Sequence, residues 1–240
     1  MTIPFGRGMH YACRMPIARA NEARPPEAPK DCPLCPRLVA FRRENQRAHP
    51  DWFNGAVPSF GPDNARLLIV GLAPGLKGAN RTGRPFLGDY AGELLYRTLL
   101  KAGLARGTHD LAAPEDLKLV DCMITNAVRC VPPANKPTPA EAATCRQFLI
   151  GRIAALPRLR ALLALGHIAH DSVLDAFALK KRDYPFAHGA RHEMPQGLIL
   201  TDSYHCSRQN TNTGRLTAAM FEAVVADAVA SLEPRRAATG

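Results

Sequence analysis

LLIVGLAPGLKGANRTGRPFLG, residues 67–88, joins an apolar run to a glycine-rich polar loop. Leu67, Leu68, Ile69 and Val70 have the length and type of a strand buried on both faces. Hydrophobicity stops at Gly71. Pro74, Gly75, Gly78 and Gly83 follow, with Asn80, Arg81, Thr82 and Arg84 among them. Beyond Asp89, residues 91–100 carry apolar side chains at helical spacing. Open α/β sheets bind ligands where a buried strand empties into such a loop, and the N–H groups opening the next helix suit an anion. Neither the G-x-x-x-x-G-K-[ST] nor the G-x-G-x-x-G phosphate signature is present, so glycine content alone names no ligand.

The same strand–loop–helix unit recurs downstream. Leu119–Asn126 reads as a second strand. Val131–Pro139 holds four prolines and must be irregular. Thr138 then caps a helix running through Cys145 to about Ala155, with Pro139 just inside and Glu141 reinforcing the start. Leu159–Leu165 is a third strand followed by a helix near 167–178, and Leu198–Thr201 a fourth. Cys206–Thr213 reads as a polar loop, and Leu216–Leu232 as the last helix. Four such units predict a three-layer α/β/α fold around a central four-stranded parallel sheet. Its strand ends share one edge, so Gly71 onward, Asn126, His167 and His205 should meet in one cleft. The expected organisation is a disordered or loosely packed extension over 1–30, one domain over 31–232 that opens with a Cys-x2-Cys knuckle and a helix near Arg37–His49, and a tail over 233–240.

With 240 residues, 46% of them hydrophobic, the chain can bury a substantial single core. No apolar run approaches a membrane span, and the early arginines Arg7, Arg14 and Arg19 precede no apolar signal region. A cytoplasmic, monomeric protein with no membrane partner is expected. The net charge of +10 favours polyanions, nucleic acid first. Seven cysteines, an odd number in a chain without a signal peptide, argue against a disulfide framework. Cys32 and Cys35 form a Cys-x2-Cys pair, and Cys130 and Cys145 a second pair. Four thiolates suit either tetrahedral zinc or an iron–sulfur cluster. Cys13, Cys122 and Cys206 fall outside this set.

Asp89, between the glycine loop and a helix, is placed to cap that helix or to face a substrate. Asn126 ends a buried strand and offers a donor beside an acceptor, the pair needed to read a nucleobase edge. His205, followed by Ser207 and Asn210, can supply a donor to a leaving anion. The stretch Arg208–Arg215 is polar and basic at both ends, apt for a phosphate backbone.

These segments together resemble the uracil-DNA glycosylase superfamily, and most closely its family 5, the iron–sulfur type B enzymes. GLAPGLKGANRTGRPFLGD (71–89), TNAVRC (125–130) and HCSRQNTNTGRLT (205–217) are similar to that family's three motifs, with the four cysteines in the matching order. The likeness spans roughly residues 30 to 230. It implies a [4Fe–4S] cluster on Cys32, Cys35, Cys130 and Cys145, and excision of uracil, with hypoxanthine and xanthine as further bases, from DNA. It makes Gly71, Ala73, Gly75, Phe86 and Asn126 the base-binding set. Asn80, Arg81, Ser207, Arg208, Gln209, Asn210 and Arg215 become the DNA contacts. Gly75 stands where other branches carry a polar water-activating residue, so Asp89 takes that task, with His205 donating to the departing base. The third motif has Cys206 where the family often has Pro or Val. Two other classes compete: a non-catalytic nucleic-acid-binding protein with a four-Cys zinc site, and a small-molecule α/β hydrolase.

Overall fold

The computed structural model describes residues 24–110 and 114–233. Its helices are α1 (Pro36–Ala48), α2 (Ala79–Thr82), α3 (Tyr90–Lys101), α4 (Pro139–Ala154), α5 (His167–Ala176), α6 (Arg208–Asn212) and α7 (Ala218–Ala230). Its strands are β1 (Leu67–Gly71), β2 (Ala105–Arg106), β3 (Lys118–Leu119), β4 (Cys122–Asn126), β5 (Ala161–Leu165), β6 (Arg191–Glu193) and β7 (Ile199–Ser203). The main sheet has the order β4-β1-β5-β7-β6, with the first four parallel and β6 antiparallel at the edge.

The three-layer architecture is as expected, but the sheet has five strands instead of four. The fifth, Arg191–Glu193, has three polar residues and no buried position, so no hydrophobic alternation announced it. The expected second strand is also two elements. Asp121 has φ 57°, which breaks the chain between β3 and β4. β3 turns away to pair antiparallel with β2, while the Asp121 carboxylate accepts from Arg66 Nε at 2.6 Å. The polar loop expected after Cys206 contains the short helix α6, capped by Ser207.

Side-chain alternation along β1 divides the core. Leu67 and Ile69 face α3 and α7 together with Leu95, Leu99, Ile124, Leu163, Phe221 and Val225. Leu68 and Val70 face α4 and α5 with Met123, Leu149, Ile153, Leu162, Val173 and Leu200. Every residue of β1 is buried, as a central strand between two helical layers requires. α4 begins with a full capping box between Thr138 and Glu141. No helix of the described residues is long and apolar enough to cross a membrane.

Residues 24–30, expected to be loose, are held against the domain. Gly151 of α4 leaves room for them: a Cβ there would lie 2.4 Å from the Pro25 carbonyl oxygen. Glu27 bridges Arg129, at 2.9 Å, and Arg152. The rest of the expected extension, 1–23, and the end of the tail lie outside the described residues.

The edge strand is tied in through buried polar groups. Asp202 of β7 is fully buried, and its two oxygens meet His170 Nδ1 at 2.8 Å and His192 Nε2 at 3.1 Å. His170 Nε2 meets the Tyr184 carbonyl at 2.9 Å. Both His170 nitrogens thus face acceptors, and only the imidazolium can donate to both. Burial opposes that charge, but the hydrogen bond and charge of Asp202, with the Tyr184 carbonyl, outweigh it and raise the His170 pKa. The group therefore contributes stability below its unfolded pKa of about 6.5, and loses it as pH rises through the higher folded value. Thermal unfolding of the wild type should fall more steeply above neutral pH than that of His170→Phe; parallel pH profiles would disprove the assignment.

Candidate active site

β1 and β4 pair so that Gly71 stands beside Asn126. A Cβ on Gly71 would lie 2.4 Å from Asn126 Oδ1 and 2.7 Å from the Phe86 ring. Only glycine lets the amide and the ring converge. Asn126 is 2% exposed, and its Oδ1 is buried without a hydrogen-bond partner among the described residues. Phe86 has φ 61°, an outlier for an aromatic residue. It is held by a turn whose Pro85 carbonyl accepts from Tyr96 Oη at 2.5 Å. Strained backbone kept in place by its surroundings is characteristic of binding sites.

Asp89 caps α3, its Oδ1 accepting from Gly92 N at 3.0 Å. The glycine loop closes on its other oxygen: a Cβ would stand 3.1 Å from Oδ2 at Gly75 and 2.6 Å at Gly78. The cap occupies Oδ1 and leaves Oδ2 on the side of the glycine loop, so capping does not exclude a second task for this carboxylate. Burial raises its pKa above the ordinary carboxylate value, against the lowering effect of the Gly92 and Ala91 N–H groups.

His205 follows β7. Its backbone carbonyl accepts from Asn210 Nδ2 at 2.8 Å, and its ring lies 6.0 Å from that of Phe86, centroid to centroid, at 28°. Gly166, at φ 96°, gives it room: a Cβ there would sit 3.3 Å from the His205 Cβ. Burial lowers its pKa to about 4, so the ring is neutral at physiological pH. Its ring nitrogens bond no described residue. Cys206 next to it is fully buried and apolar in its surroundings.

Asp89, His205, Asn126, Phe86, Ala73 and Gly75 line one cleft of about 520 Å³. Ser207, Arg208 and Gln209 line its rim. Asn210 serves the His205 loop from within. Arg215 lies outside the cleft with its guanidinium 4.4 Å above the Tyr204 ring. Arg81 is exposed, also outside it. Asn80 is a correction. It is fully buried, and its Nδ2 donates to Asn54 Oδ1 at 2.9 Å. In this arrangement its side chain braces the glycine loop against Asn54 and presents no surface to a partner. Eight lining residues were not among the candidate site residues read from the sequence: Leu72, Pro74, Ala79, Tyr90, Ala91, Ala134, Asn135 and Lys136. The last three sit in the proline-rich run after β4, whose position beyond a strand end was the available signal.

Cys32, Cys130 and Cys145 are each 8% exposed and share a hydrophobic cluster with Cys35, Leu38, Val128 and Phe148. The four thiols line one pocket walled by Ala28, Leu34 and Leu38. Arg129 N donates to Cys145 Sγ at 3.3 Å, and Arg42 Nη1 to Cys130 Sγ at 3.8 Å. Burial, with the neighbouring cysteines adding to it, pushes the Cys130 thiol up to about 12 and Cys145 to about 11. Four soft donors share one apolar pocket, with N–H groups aimed at two of the sulfurs, the donor chemistry of an iron–sulfur site. Among the described residues, the only set of three or more His, Cys, Asp or Glu whose ligand atoms lie within 4.8 Å of one another is His170, His192 and Asp202.

Residues 58–229 match the uracil DNA glycosylase superfamily. Over 203 residues the chain is 48% identical to the type-5 uracil-DNA glycosylase of Thermus thermophilus, covering 82% of this chain and 92% of that one. It is 42% identical to the type-5 uracil-DNA glycosylase of Mycobacterium leprae, over 82% of this chain and 90% of the relative. With the type-4 uracil-DNA glycosylase of Pyrobaculum aerophilum it shares 34% identity over 61% of each chain.

Gly92 provides a test of how tightly the cleft is built. Replacing a helical glycine by alanine normally gains about 1 kcal/mol. Here a Cβ would fall 1.7 Å from the Phe86 carbonyl oxygen, and overpacking of this kind costs about 1–3 kcal/mol or more. Gly92→Ala should therefore destabilise the protein in urea unfolding; a more stable variant would show that the Phe86 turn yields freely.

Proposed function

The chain belongs to the uracil-DNA glycosylase superfamily, and on that premise we propose that it hydrolyses the N-glycosidic bond of uracil extruded from DNA. The observation that carries this reading is the Asn126 amide, with its buried, unpartnered Oδ1 next to the Phe86 ring. A buried acceptor without a partner costs about 1–3 kcal/mol, which a bound donor recovers. The uracil N3–H is such a donor, and its O4 accepts from the amide Nδ2. Cytosine presents an amino group and a bare ring nitrogen, which mismatch both. Hypoxanthine and xanthine carry the same carbonyl and ring N–H side by side, and the reading extends to them.

The target must leave the duplex, because its glycosidic bond is inaccessible inside the stack. Phe86 then stacks on the base. The C1′–N1 bond breaks with its electron pair leaving on the base, and water oxygen bonds to C1′. Neutral His205 donates a hydrogen bond to the base oxygen where charge gathers. The free oxygen of Asp89 holds the water, takes up its proton on the way to solvent, and opposes the positive charge on the sugar. Gly75 adds no side chain to this step. Arg208, Gln209 and Arg215 meet phosphates, which makes binding salt-dependent. Cys32, Cys35, Cys130 and Cys145 hold a [4Fe–4S] cluster that fastens the N-terminal knuckle to the loop after Asn126; hydrolysis itself moves no electrons. The enzyme acts as a monomer.

His205→Ala and Asp89→Ala should each cut single-turnover uracil release, by about 100- to 1000-fold for the lost donor, while duplex affinity stays near wild type. Asp89→Asn should fall between Asp89→Ala and the wild type. Full activity in both alanine variants would overturn the reading. The raised Asp89 pKa sets the acid limb, since only the carboxylate works: rates should fall with decreasing pH earlier than for an ordinary aspartate. With its pKa near 4, His205 should impose no step between pH 6 and 8. Anaerobic purification should give brown protein absorbing near 400 nm and containing iron; colourless, zinc-loaded protein would refute the cluster.

A further inference from the structure

The loop after β4 carries two consecutive residues in left-handed backbone, Ala134 and Asn135, both at φ 55° and neither a glycine. Among the described residues, three of the seven non-glycine positions with positive φ, these two and Phe86, line the same cleft. The loop is clamped from outside. Arg37 of α1 donates Nη2 to the Lys136 carbonyl at 3.0 Å, and forks onto Glu141 through Nε at 2.8 Å and Nη2 at 2.7 Å. Glu141 in turn accepts from Thr138 N at 2.8 Å. Rigid support directly after an unfavourable backbone indicates that the position of the loop matters. Asn tolerates this conformation better than most residues because its short amide can bond locally. Here it does not: the Asn135 side chain is exposed and bonds no described residue.

Its place explains the free amide. Asn135 borders both the base cleft and an outer depression of about 610 Å³ lined by Lys77, Gly78 and Arg208. Asp89 and Gly75 border both as well. The outer depression also holds Glu93, so its two cations, Lys77 and Arg208, mark the route of the charged backbone. With the base in the inner cleft, the deoxyribose and its phosphate cross the divide between the two.

Building on the glycosylase reading, we propose that Asn135 is a substrate-contacting residue whose amide holds the sugar–phosphate of the extruded nucleotide against Asp89. An amide N–H bonds a phosphate or ring oxygen without adding charge, and the pinned loop keeps it in place before the nucleotide arrives.

Asn135→Gly separates the amide from the turn, because glycine accepts left-handed backbone at no steric cost. Thermal stability should equal or exceed wild type. Single-turnover uracil release should drop about ten- to hundredfold, the usual range for a hydrogen bond to a charged group. Affinity for a uracil-containing duplex, read by fluorescence anisotropy, should weaken too. Asn135→Asp should be worse at low salt and partly recover as salt rises, since it sets a carboxylate against a phosphate. Wild-type rate and affinity in Asn135→Gly would overturn the proposal. Should the wild-type protein bind duplex yet release no uracil, the glycosylase reading fails, and the affinity difference still decides whether Asn135 touches DNA.

Discussion

The pairing of β1 with β4 sets one close approach on which the rest of the site depends. With Gly71 beside Asn126, the missing side chain becomes the space in which an amide and an aromatic ring meet. A one-residue slip would turn every side chain of β4 to the opposite face, sending Asn126 into a helical layer and exposing Cys122 or Met123 to the wrong one. The apolar core on either side of β1 therefore does more than stabilise the sheet. It selects the register, and the register selects what stands at the cleft floor.

One desolvated environment acts on both ionisable groups of the cleft, in opposite directions. It holds His205 neutral and makes the Asp89 carboxylate harder to ionise. Asp89 stays a useful anion because the start of α3 gives it N–H donors from Gly92 and Ala91. A neutral donor and a stabilised anion can share a small cleft without forming an ion pair with each other. An imidazolium at 205 would have drawn the carboxylate away from the position a water must take.

Much of this was legible in the chain. The run Leu67–Val70, the Thr138–Glu141 cap and the polar residues at strand ends follow from local rules, and they place Asp89, Asn126 and His205 in one cleft. His167, expected to join them, is 70% exposed at the side chain and lies outside it, beside Asp171. What escaped was set by tertiary context. β6 has no apolar pattern, because its partner β7 supplies the hydrogen bonds and Asp202 the anchor. Asn80 reads as an exposed loop residue until Asn54 is found beside it, 26 positions away. The left-handed pair at 134–135 lacks the glycine that would have announced it, and so the wall it forms went unseen.

Glu27 sits between two guanidinium groups, those of Arg129 and Arg152, which are 1% and 8% exposed at the side chain. One carboxylate upstream of the cysteine knuckle thus bridges two buried cations, of which Arg152 also pairs with Asp63. Breaking such a pairing from one side leaves buried charge uncompensated, at about 3–5 kcal/mol. The packed structure therefore includes residues upstream of the cysteine knuckle. A protein trimmed to start at Asp31 keeps all four candidate thiol ligands and the whole sheet, yet leaves buried Arg129 with Ser59 Oγ, and Arg152 with Asp63, as their side-chain partners. A nick between Pro29 and Asp31 would loosen the wall of the cysteine pocket, where Ala28 packs beside Cys32 and Cys130.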